Sequence, residues 1–566
     1  MKWNIKRVNP LKVVAYKKRL GVTELMAKVL INRNIDIDTA AKELHDPIAL
    51  IEDPCEIKGA IETATAISNE FDKSKKFFVF ADYDVDGIAS GYIMTDFLRS
   101  IGENAEVYYP QRSEGYGLSM DFVNLAVMNP DIVVITVDNG ITKIKEVAAL
   151  KEAGIPVIVT DHHEPQEELP DCSLCDAWVE GNTAGRHLCG AGIAWKICMI
   201  LEDMQSKEGL IEKYLPHVAL ATVTDVMPMT PENIALVNLG LQAINDKESR
   251  VFNLLMELLD IKKMTAEDFG WKIGPKINAC GRMERIDLAG ELFFMEEAGK
   301  DAIKDQIRDI IETDDERVKY TKHAQKAIEK LDYSNDSICL FNATEYPHGI
   351  AGIIAGKIAN RFNKPAFVYT EHDGVCIASA RSVGSIDLGV LLSNESQAGH
   401  ILSWGGHAEA CGCAWNYEKM PDFLHSMNQQ ITSLIENGSI NVAEPELTID
   451  TEISFVDLSD KAMDDIQSIA YDKSSCIEPI FCLKDVKVKA MQPYSNKDHI
   501  VLQCTDKHQK ELTLVLWGGY PQYESIGKPA VMDIAGTIGT VGFPDRTTKR
   551  RATDITIKII DMKPAA

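Results

Sequence analysis

The sequence predicts an α/β protein with a parallel-sheet domain, a long connecting helix, a smaller α/β domain and a C-terminal all-β domain. Between residues 76 and 284, apolar strand-like segments alternate with helical segments, which is the pattern of a parallel sheet. Residues 285–332 are dense in charge at helical spacing, as expected for a solvated helix that joins two domains. The short β segments between 445 and 566 indicate a small barrel such as an OB-fold.

The individual elements follow in chain order. An N-terminal extension, residues 1–75, is expected to be helical, with a basic solvated surface. The first sheet is predicted to contain the strands Phe77–Phe80, Ala105–Tyr109, Ile132–Val137 and Pro156–Thr160, with crossover helices at Gly87–Ile101 and Ile141–Gly154. The smaller domain, 333–440, is predicted to contain the strands Ser337–Phe341 and Pro365–Tyr369. The barrel is predicted from Leu447–Phe455, Val486–Met491, His499–Cys504, Glu511–Trp517, Val531–Val541 and Thr553–Ile560.

Composition and charge limit the class of protein. Hydrophobic residues make up 45% of the 566 residues and charged residues 25%, as in ordinary globular proteins. No apolar run reaches the ~18 residues of a membrane helix, and the 13 cysteines are scattered, so we predict a cytoplasmic protein without membrane contact. The net charge of −26 argues against nucleic-acid binding over the whole surface, but a local basic groove remains compatible with it.

Metal-type ligands follow three of the predicted strands. Asp82-Tyr83-Asp84-Val85-Asp86 follows the first strand, Asp138-Asn139-Gly140 the third, and Asp161-His162-His163 the fourth. Because the carboxyl ends of parallel strands share one edge of a sheet, these side chains are expected to converge. Clustered oxygen ligands with one or two imidazoles indicate a Mn²⁺ or Mg²⁺ site rather than a thiolate-rich zinc site. The sequence therefore predicts a hydrolytic two-metal centre.

The alternating carboxylates are the strongest part of this pattern. Asp82, Asp84 and Asp86 share one face of an extended chain, where their charges repel unless cations neutralise them. A solvated acidic loop is the alternative, and the two further ligand-bearing strand ends argue against it. Of the adjacent histidines, we expect His162 to bind metal and His163 to contact substrate phosphate or support the ligands. Asp225 ends a mostly apolar segment, where a charge needs a partner.

These motifs resemble those of the DHH phosphoesterase superfamily and, within it, of the RecJ single-strand-specific 5′→3′ exonucleases. Further matching segments are Pro110–Leu118, Gly190–Ala194, Pro275–Met283, His348–Gly352, Ser379–Ser382 and Gly405–Gly412. The resemblance covers nearly the whole chain. It implies a DHH domain at 76–284, a connecting helix at 285–332, a DHHA1 domain at 333–440 and an OB-fold at 445–566. It also implies two divalent metal ions, Mn²⁺ or Mg²⁺.

The resemblance implies a role for each matching residue. Carried over by position, the metal ligands are Asp84, Asp86, Asp138, His162 and Asp225, with Asp82 as a further candidate and His163 close by. The residues that match the family's binders of a terminal 5′-phosphate are Arg112, Ser379 and Arg381. Asn278 and Arg282 are further substrate-binding candidates. Gly405 and Gly406 belong to a substrate-binding loop that places His407 near the scissile group.

The implied activity is metal-dependent hydrolysis of single-stranded DNA to 5′-mononucleotides in DNA repair and recombination. Single-strand-binding protein and a RecQ-type helicase are implied as further partners, and the full domain set favours a monomer. In the barrel, base stacking and core packing are equally open for Tyr494, Trp517, Tyr520 and Tyr523. The most basic stretch of the C-terminus contains Arg546, Lys549, Arg550, Arg551 and Lys558.

Other functions stay open on the sequence alone. A nanoRNase or cyclic-dinucleotide phosphodiesterase of the same superfamily would be shorter and would lack the barrel. The presence of the barrel also disfavours an inorganic pyrophosphatase. A catalytically inactive replication or recombination scaffold would lose metal ligands, and all of them are present here. Cys172 and Cys175 could begin a zinc site, but no second Cys-x-x-Cys follows, so reduced thiols are favoured. Residues 470–479 depart from the family's usual barrel signature.

Overall fold

The structure is a computed structural model that describes residues 2–71, 73–129, 131–179, 181, 183–334, 336–437, 446–468, 479–494, 499–506, 508–516, 519–544 and 551–565. Its strands are β1 (Lys2–Ile5), β2 (Lys76–Ala81), β3 (Ala105–Tyr108), β4 (Ile132–Val137), β5 (Val157–Asp161), β6 (Ser173–Asp176), β7 (Cys339–Asn342), β8 (Ala366–His372), β9 (Val375–Arg381), β10 (Ser403–His407), β11 (Ala410–Asn416), β12 (Glu446–Ile449), β13 (Thr451–Ile453), β14 (Phe481–Tyr494), β15 (His499–Thr505), β16 (Glu511–Leu516), β17 (Val531–Pro544) and β18 (Arg551–Pro564).

The helices connect these strands in an alternating pattern through the first domain and more irregularly afterwards. They are α1 (Pro10–Leu20), α2 (Glu24–Asn32), α3 (Ile37–His45), α4 (Ala60–Ser68), α5 (Val85–Ser100), α6 (Met120–Val127), α7 (Ile144–Glu152), α8 (Gly190–Met204), α9 (Leu215–Thr224), α10 (Pro231–Asn245), α11 (Arg250–Leu258), α12 (Ala266–Asp268), α13 (Gly274–Arg282), α14 (Ile286–Leu292), α15 (Lys300–Ile328), α16 (Ala351–Phe362), α17 (Leu388–Gln397), α18 (Met420–Glu436), α19 (Asp460–Ser468) and α20 (Tyr520–Ser525). Within the described part of the chain, no helix has the length and apolar character to cross a membrane.

The first domain is a five-stranded parallel sheet in the order β3-β2-β4-β5-β6. Alternate side chains of its central strands face opposite layers. Val133 and Ile135 pack with α5 and α8, while Val134 packs with α6 and α7. Every residue of β4 is buried, as expected for a parallel strand that helices cover on both faces. The carboxyl ends of β2, β4 and β5 consequently lie at one edge, as predicted.

The second domain is a mixed five-stranded sheet in the order β10-β11-β9-β8-β7. Only β7 and β8 are parallel, and the other neighbours are antiparallel. Helix α16 packs on one face of this sheet, and α17 and α18 pack on the other. The predicted connecting helix is interrupted, because α14 and a short 3₁₀ turn precede the 29-residue helix α15.

Among the described residues, the C-terminal sheet has six strands, of which β13 pairs with β14 and the other five form a barrel. Strands β14, β15, β16, β18 and β17 follow one another, and β14 also pairs with β17, which closes the barrel and confirms the predicted OB-fold. The N-terminal segment divides between two domains. Strand β1 pairs in parallel with β12, and α1, α2 and α3 share a core with the barrel. Helix α4 packs with the first domain.

A buried ion pair joins α2 to the segment that enters the barrel. Arg33 Nε and Nη2 lie 3.1 and 3.2 Å from Asp450 Oδ1 and Oδ2, and both residues are buried. We expect Arg33→Met to lower the free energy of unfolding by about 3–5 kcal/mol, because the Asp450 charge stays buried without its cation. Urea unfolding measures this loss. Lys17→Met breaks an exposed pair with Glu24 and should lose less than about 1 kcal/mol; equal losses in both variants would contradict the prediction.

Candidate metal centre and phosphate cleft

Three strand ends and one helix end bring the predicted metal ligands together. Asp82 follows β2, Asp138 follows β4 and His162 follows β5, whereas Asp225 follows the last residue of α9. Potential ligand atoms lie within 4.8 Å of one another in three groups, which are Asp82–Asp84–Asp138, Asp86–His162–Asp225 and Asp138–His162–His163. Because the groups share Asp138 and His162, they form a single site, which we call the carboxylate cluster.

His162 lies at the centre of this cluster. Its Nε2 atom is 3.1 Å from Asp138 Oδ1, 3.5 Å from Asp86 Oδ2 and 3.7 Å from Asp225 Oδ2. The imidazole is largely buried, so it cannot turn away to solvent. One nitrogen thus shares its surroundings with three carboxylates, the arrangement expected around a divalent cation.

Two helix starts hold the carboxylates of the Asp-x-Asp-x-Asp segment. Asp84 caps α5 and accepts hydrogen bonds from the backbone N–H groups of Asp86 and Gly87 at 3.0 and 3.1 Å. Asp86 in turn accepts from the N–H groups of Gly190 and Ala191 at the start of α8, at 2.6 and 2.8 Å. The N–H groups at the two helix starts therefore fix the orientation of both carboxylates.

Close backbone packing surrounds Asp138. This residue has a left-handed φ of 62°, which non-glycine residues seldom adopt and which aims its side chain into the cluster. A Cβ at Gly190 would lie 2.6 Å from Asp138 Cβ, so only glycine allows α8 to begin there. The position of Asp138 is therefore set by its own strained backbone and by the start of α8.

Burial and mutual repulsion change the acidity of the cluster. Burial, with Asp84 as the next cause, raises the pKa of Asp82 to about 8, and burial with Asp86 raises the pKa of Asp225 to about 8. The pKa of Asp138 is raised well above its ordinary value for the same reasons, whereas burial lowers the pKa of His162. Cation binding must displace protons from these carboxylates, so metal affinity depends on pH.

The residues of the carboxylate cluster fit divalent cations. Asp82 Oδ1 is buried and has no hydrogen-bond partner among the described residues, which leaves a ligand atom unsatisfied. The donors are carboxylate oxygens and imidazole nitrogens without a thiolate, a set that suits Mn²⁺ or Mg²⁺. Bound cations would offset the repulsion between the carboxylates, which protonation reduces when no cation is bound.

A second layer holds His163. Its Nδ1 lies 2.7 Å from Asp161 Oδ1, and the Asp161 carboxylate also accepts from the backbone N–H groups of His162 and Ile141. Burial alone would lower the pKa of His163, but contact with Asp161 outweighs burial and raises this pKa to about 9. The Tyr116 hydroxyl lies 3.2 Å from both ring nitrogens of His163, at the open side of the cluster. His163 therefore lies between a buried carboxylate and an exposed phenol.

Three arginines approach the cluster from the second domain, from α13 and from the loop after β3. The guanidinium of Arg112 lies 4.9 Å from the ring centre of Tyr83, and Arg282 Nη1 donates to Gly349 O at 3.2 Å. Burial and then the charge of Arg112 lower the pKa of Arg282 to about 10, and both effects also lower the pKa of Arg381. None of the three forms a salt bridge with a described carboxylate, so their charges remain available to an anion; we call these three side chains the arginine pocket.

The predicted DHHA1 residues share one face of the second sheet. On β11, Ala410 lies between His407 of β10 and Arg381 of β9. Two residues further along β11, Gly412 lies between Gly405 and Ser379 in the same way. Register neighbours project to the same side, so Ser379, Arg381 and His407 lie on one face. Gly406 has a φ of 130°, and a Cβ there would lie 2.4 Å from Ala410 O. No described contact joins His407 to the carboxylate cluster.

Asn278 makes a structural contact with the start of helix α5. Its Oδ1 accepts from the backbone N–H of Val85 at 3.1 Å, so it holds the start of α5. A Cβ at Gly281, one turn later on α13, would lie 2.4 Å from Tyr83 O. Helix α13 therefore packs against the loop that carries the metal ligands, and it also carries Arg282, which contacts the second domain.

Sequence reasoning misses three parts of this site. The cap on Asp86 comes from a helix 104 positions later in the chain, and the sequence marks Asp161 only as part of a ligand motif. Tyr116 belongs to the matching segment Pro110–Leu118, which gives it no role of its own. Its place four residues after Arg112 is the signal that the sequence offers.

The sequence also predicts roles for barrel aromatics, for a basic C-terminal stretch and for two cysteines, all outside the carboxylate cluster. Tyr523 is buried in the barrel core, and Lys558 pairs with Glu267 of the first domain at 2.8 Å. Trp517, Arg546, Lys549, Arg550 and 470–478 lie outside the described residues. Burial raises the pKa of Cys172 and Cys175 to about 12, and neither belongs to a group of metal ligands among the described residues.

Known proteins match this architecture along the chain. Three family models match: the DHH family N-terminal domain at 76–222, the DHHA1 domain at 335–433 and the RecJ OB domain at 449–550. The single-stranded-DNA-specific exonuclease RecJ of Bacillus subtilis is 31% identical over 469 residues, which cover 80% of this chain and 58% of that protein. The chain therefore has a DHH, a DHHA1 and a RecJ-type OB domain in this order and is similar to RecJ proteins over most of its length.

Solved structures agree with the RecJ assignment. The crystal structure of RecJ from Thermus thermophilus in complex with Mn²⁺ matches with a TM-score of 0.81 at 21% identity, and the match covers 100% of this chain and 80% of that one. A structure titled exonuclease RecJ bound to manganese matches with a TM-score of 0.59 at 26% identity, and the match covers 66% of this chain and 95% of that one. RecJ proteins of this fold therefore bind the kind of ion that the carboxylate cluster fits.

Proposed function

We propose that this protein is a metal-dependent 5′→3′ exonuclease that hydrolyses single-stranded DNA to 5′-mononucleotides. The observation that carries the proposal is a carboxylate cluster beside a pocket of three arginines that lack carboxylate partners among the described residues. The cluster suits divalent cations, and the arginines suit a phosphate. The family relationship adds support, because the B. subtilis relative is named a single-stranded-DNA-specific exonuclease.

Each group of residues has a separate task in this reaction. Six side chains would hold two Mn²⁺ or Mg²⁺ ions: Asp82, Asp84, Asp86, Asp138, His162 and Asp225. Bound there, the ions lower the pKa of a coordinated water and offset charge on the phosphate. His163, oriented by Asp161, can donate a hydrogen bond to a nonbridging phosphate oxygen. His407 extends from the opposite domain on the same face as Arg381.

The arginine pocket explains the direction of digestion. Arg112, Ser379 and Arg381 would hold the terminal 5′-phosphate, because an arginine fork binds phosphate oxygens in pairs. Arg282, the third arginine of the pocket, is close enough to Arg112, Asp84 and Arg381 for their charges to act on its pKa. A strand held by its 5′-phosphate presents its first internucleotide bond to the carboxylate cluster, so one nucleotide leaves per cycle. The OB-fold barrel would hold the rest of the strand.

The remaining parts of the proposal concern the surroundings of the enzyme. A cytoplasmic location remains a prediction from the scattered cysteines of the sequence. Single-strand-binding protein and a RecQ-type helicase as partners, and a monomeric state, remain predictions from the resemblance.

Replacement of Arg381 tests the pocket. We expect Arg381→Gln to lower kcat/KM about 100-fold on a 5′-phosphorylated single strand and less than about 3-fold on the 5′-hydroxyl strand, because a charged hydrogen bond to phosphate contributes about 1.5–3 kcal/mol. Initial rates with both strands, labelled at the 3′ end and digested with Mn²⁺, measure this ratio. The preference for the 5′-phosphate should therefore disappear in the variant.

Arg308→Gln provides the matched control. Arg308 lies exposed on α15, where it pairs with Asp305 at 2.6 Å, so its loss should leave both rates unchanged. An equal loss on the two strands in Arg381→Gln would assign Arg381 to general positioning and would remove the basis for the 5′→3′ direction.

A further inference from the structure

Tyr116 lies on the loop that carries Arg112, and its hydroxyl lies close to His163 and Asp138 of the carboxylate cluster. Its loop begins with the 3₁₀ turn that carries Arg112, and Glu114 holds that turn by accepting from the Gln111 N–H and the Tyr108 hydroxyl, both at 2.7 Å. Gly115 and Gly117, with φ of 96° and 66°, turn the chain on either side of Tyr116. Tyr116 is 40% exposed, so part of the residue is accessible to solvent.

The hydroxyl of Tyr116 is not committed to a strong hydrogen bond. It lies 3.2 Å from both ring nitrogens of His163 and 3.5 Å from Asp138 O. An oxygen equidistant from the two nitrogens of an imidazole lies off the ring plane, so it is not aligned with the in-plane N–H or lone-pair direction of either nitrogen. Nδ1 of His163 is already 2.7 Å from Asp161 Oδ1. The phenolic hydrogen can therefore turn towards a substrate atom.

The proposed function identifies which substrate atom that is, and the inference rests on it. If the terminal 5′-phosphate is bound beside Arg112, the first nucleotide spans the distance from Arg112 to the carboxylate cluster. The bond that breaks joins phosphorus to O3′ of this same nucleotide, so O3′ departs on the Arg112 side. Tyr116 follows Arg112 by four residues and contacts Asp138 and His163, so it lies on that side of the scissile group.

We propose that Tyr116 is a catalytic residue whose hydroxyl donates a hydrogen bond to the departing O3′. The oxygen of the attacking water bonds to phosphorus and gives up one proton to solvent. The P–O3′ bond breaks, and its electron pair stays on O3′. The Tyr116 O–H offsets the charge that develops there, and a solvent proton completes the 3′-hydroxyl of the released mononucleotide.

A sulfur substitution at the leaving atom tests this role. The substrate is a 5′-phosphorylated single strand in which sulfur replaces O3′ of the first nucleotide; the thiolate leaves readily and accepts hydrogen bonds weakly. We expect Tyr116→Phe to slow single-turnover release about 30-fold with the oxygen strand and less than about 3-fold with the sulfur strand. Anisotropy of the labelled oxygen strand without metal should show binding unchanged within about 3-fold.

Tyr214→Phe is the control, because it removes a phenolic hydroxyl that bonds to Asp96 at 2.9 Å, outside the cleft. It should match the parent on both strands. Equal slowing of both strands by Tyr116→Phe, or no slowing of either, would overturn the role of Tyr116 while the parent's digestion of the oxygen strand still supports the exonuclease. A parent that digests neither strand would overturn the proposed function and this inference together.

Discussion

Asp138→Asn is expected to reduce the rate of DNA hydrolysis at least about 1,000-fold, the largest effect on activity among these predictions. Asp138 belongs to two of the three ligand groups and lies 3.1 Å from His162 Nε2. Loss of one ligand charge from a two-cation site removes several kcal/mol of stabilisation from the transition state. Asparagine suits the test better than alanine, because asparagine tolerates the left-handed φ of 62° at this position.

The same variant should move the stability of the protein in the opposite direction. Burial and neighbouring carboxylates raise the pKa of Asp138, so its charge opposes folding in the metal-free protein. Without metal we expect Asp138→Asn to unfold at a higher temperature than the parent, and with Mn²⁺ to gain less from the ion. Thermal unfolding with and without Mn²⁺ measures both shifts. An active variant, or one stabilised by Mn²⁺ as strongly as the parent, would contradict the assignment.

Gly87→Ala is expected to have the largest effect on the fold of the site. A Cβ at Gly87 would lie 2.4–2.6 Å from the O, C and Cα atoms of Asp82, so the backbone of the metal-ligand loop must move. We expect a loss of about 2–4 kcal/mol in the free energy of unfolding, together with weaker Mn²⁺ binding. Urea unfolding and isothermal titration with Mn²⁺ measure the two effects.

Gly356→Ala is the matched control for this substitution. Gly356 also lies in a helix, α16, but a Cβ there would meet no atom within 4 Å. The control should leave Mn²⁺ binding unchanged and stabilise the protein by up to about 1 kcal/mol, because alanine favours helices. If Gly87→Ala behaved like Gly356→Ala, the close contact between Asp82 and α5 would not support the metal site.

The sheet edge of the site is predictable from the sequence because one local pattern determines it. A strand that is apolar except for one threonine, such as β4, is expected inside a parallel sheet, and the residue after it is then expected at the carboxyl edge. Asp82, Asp138 and His162 can be placed in this way. The sequence predicts Gly87 as the first residue of a crossover helix, whereas the structure shows that it allows the close approach of Asp82 to α5.

Contacts between segments that are distant in the chain cannot be predicted from local sequence patterns. Strand β10, Ser-Trp-Gly-Gly-His, is fully exposed at the edge of its sheet, so no alternation of apolar residues marks it. Its register with β11 and β9 nevertheless places His407 on the same face as Arg381. The N-terminal extension likewise shows no local sign that β1 pairs with β12, which is distant in the sequence and precedes the barrel.

Product analysis of one digestion tests the central claim most directly. A single-stranded DNA with a 5′-phosphate and a 3′ label is incubated with the purified protein and Mn²⁺, and samples are taken over time. The account predicts stepwise shortening from the 5′ end and release of 5′-mononucleotides, with a blunt duplex left intact and no release by Asp138→Asn. Internal cleavage, shortening from the 3′ end, or hydrolysis of dinucleotides alone would contradict the proposed arrangement of phosphate pocket and carboxylate cluster.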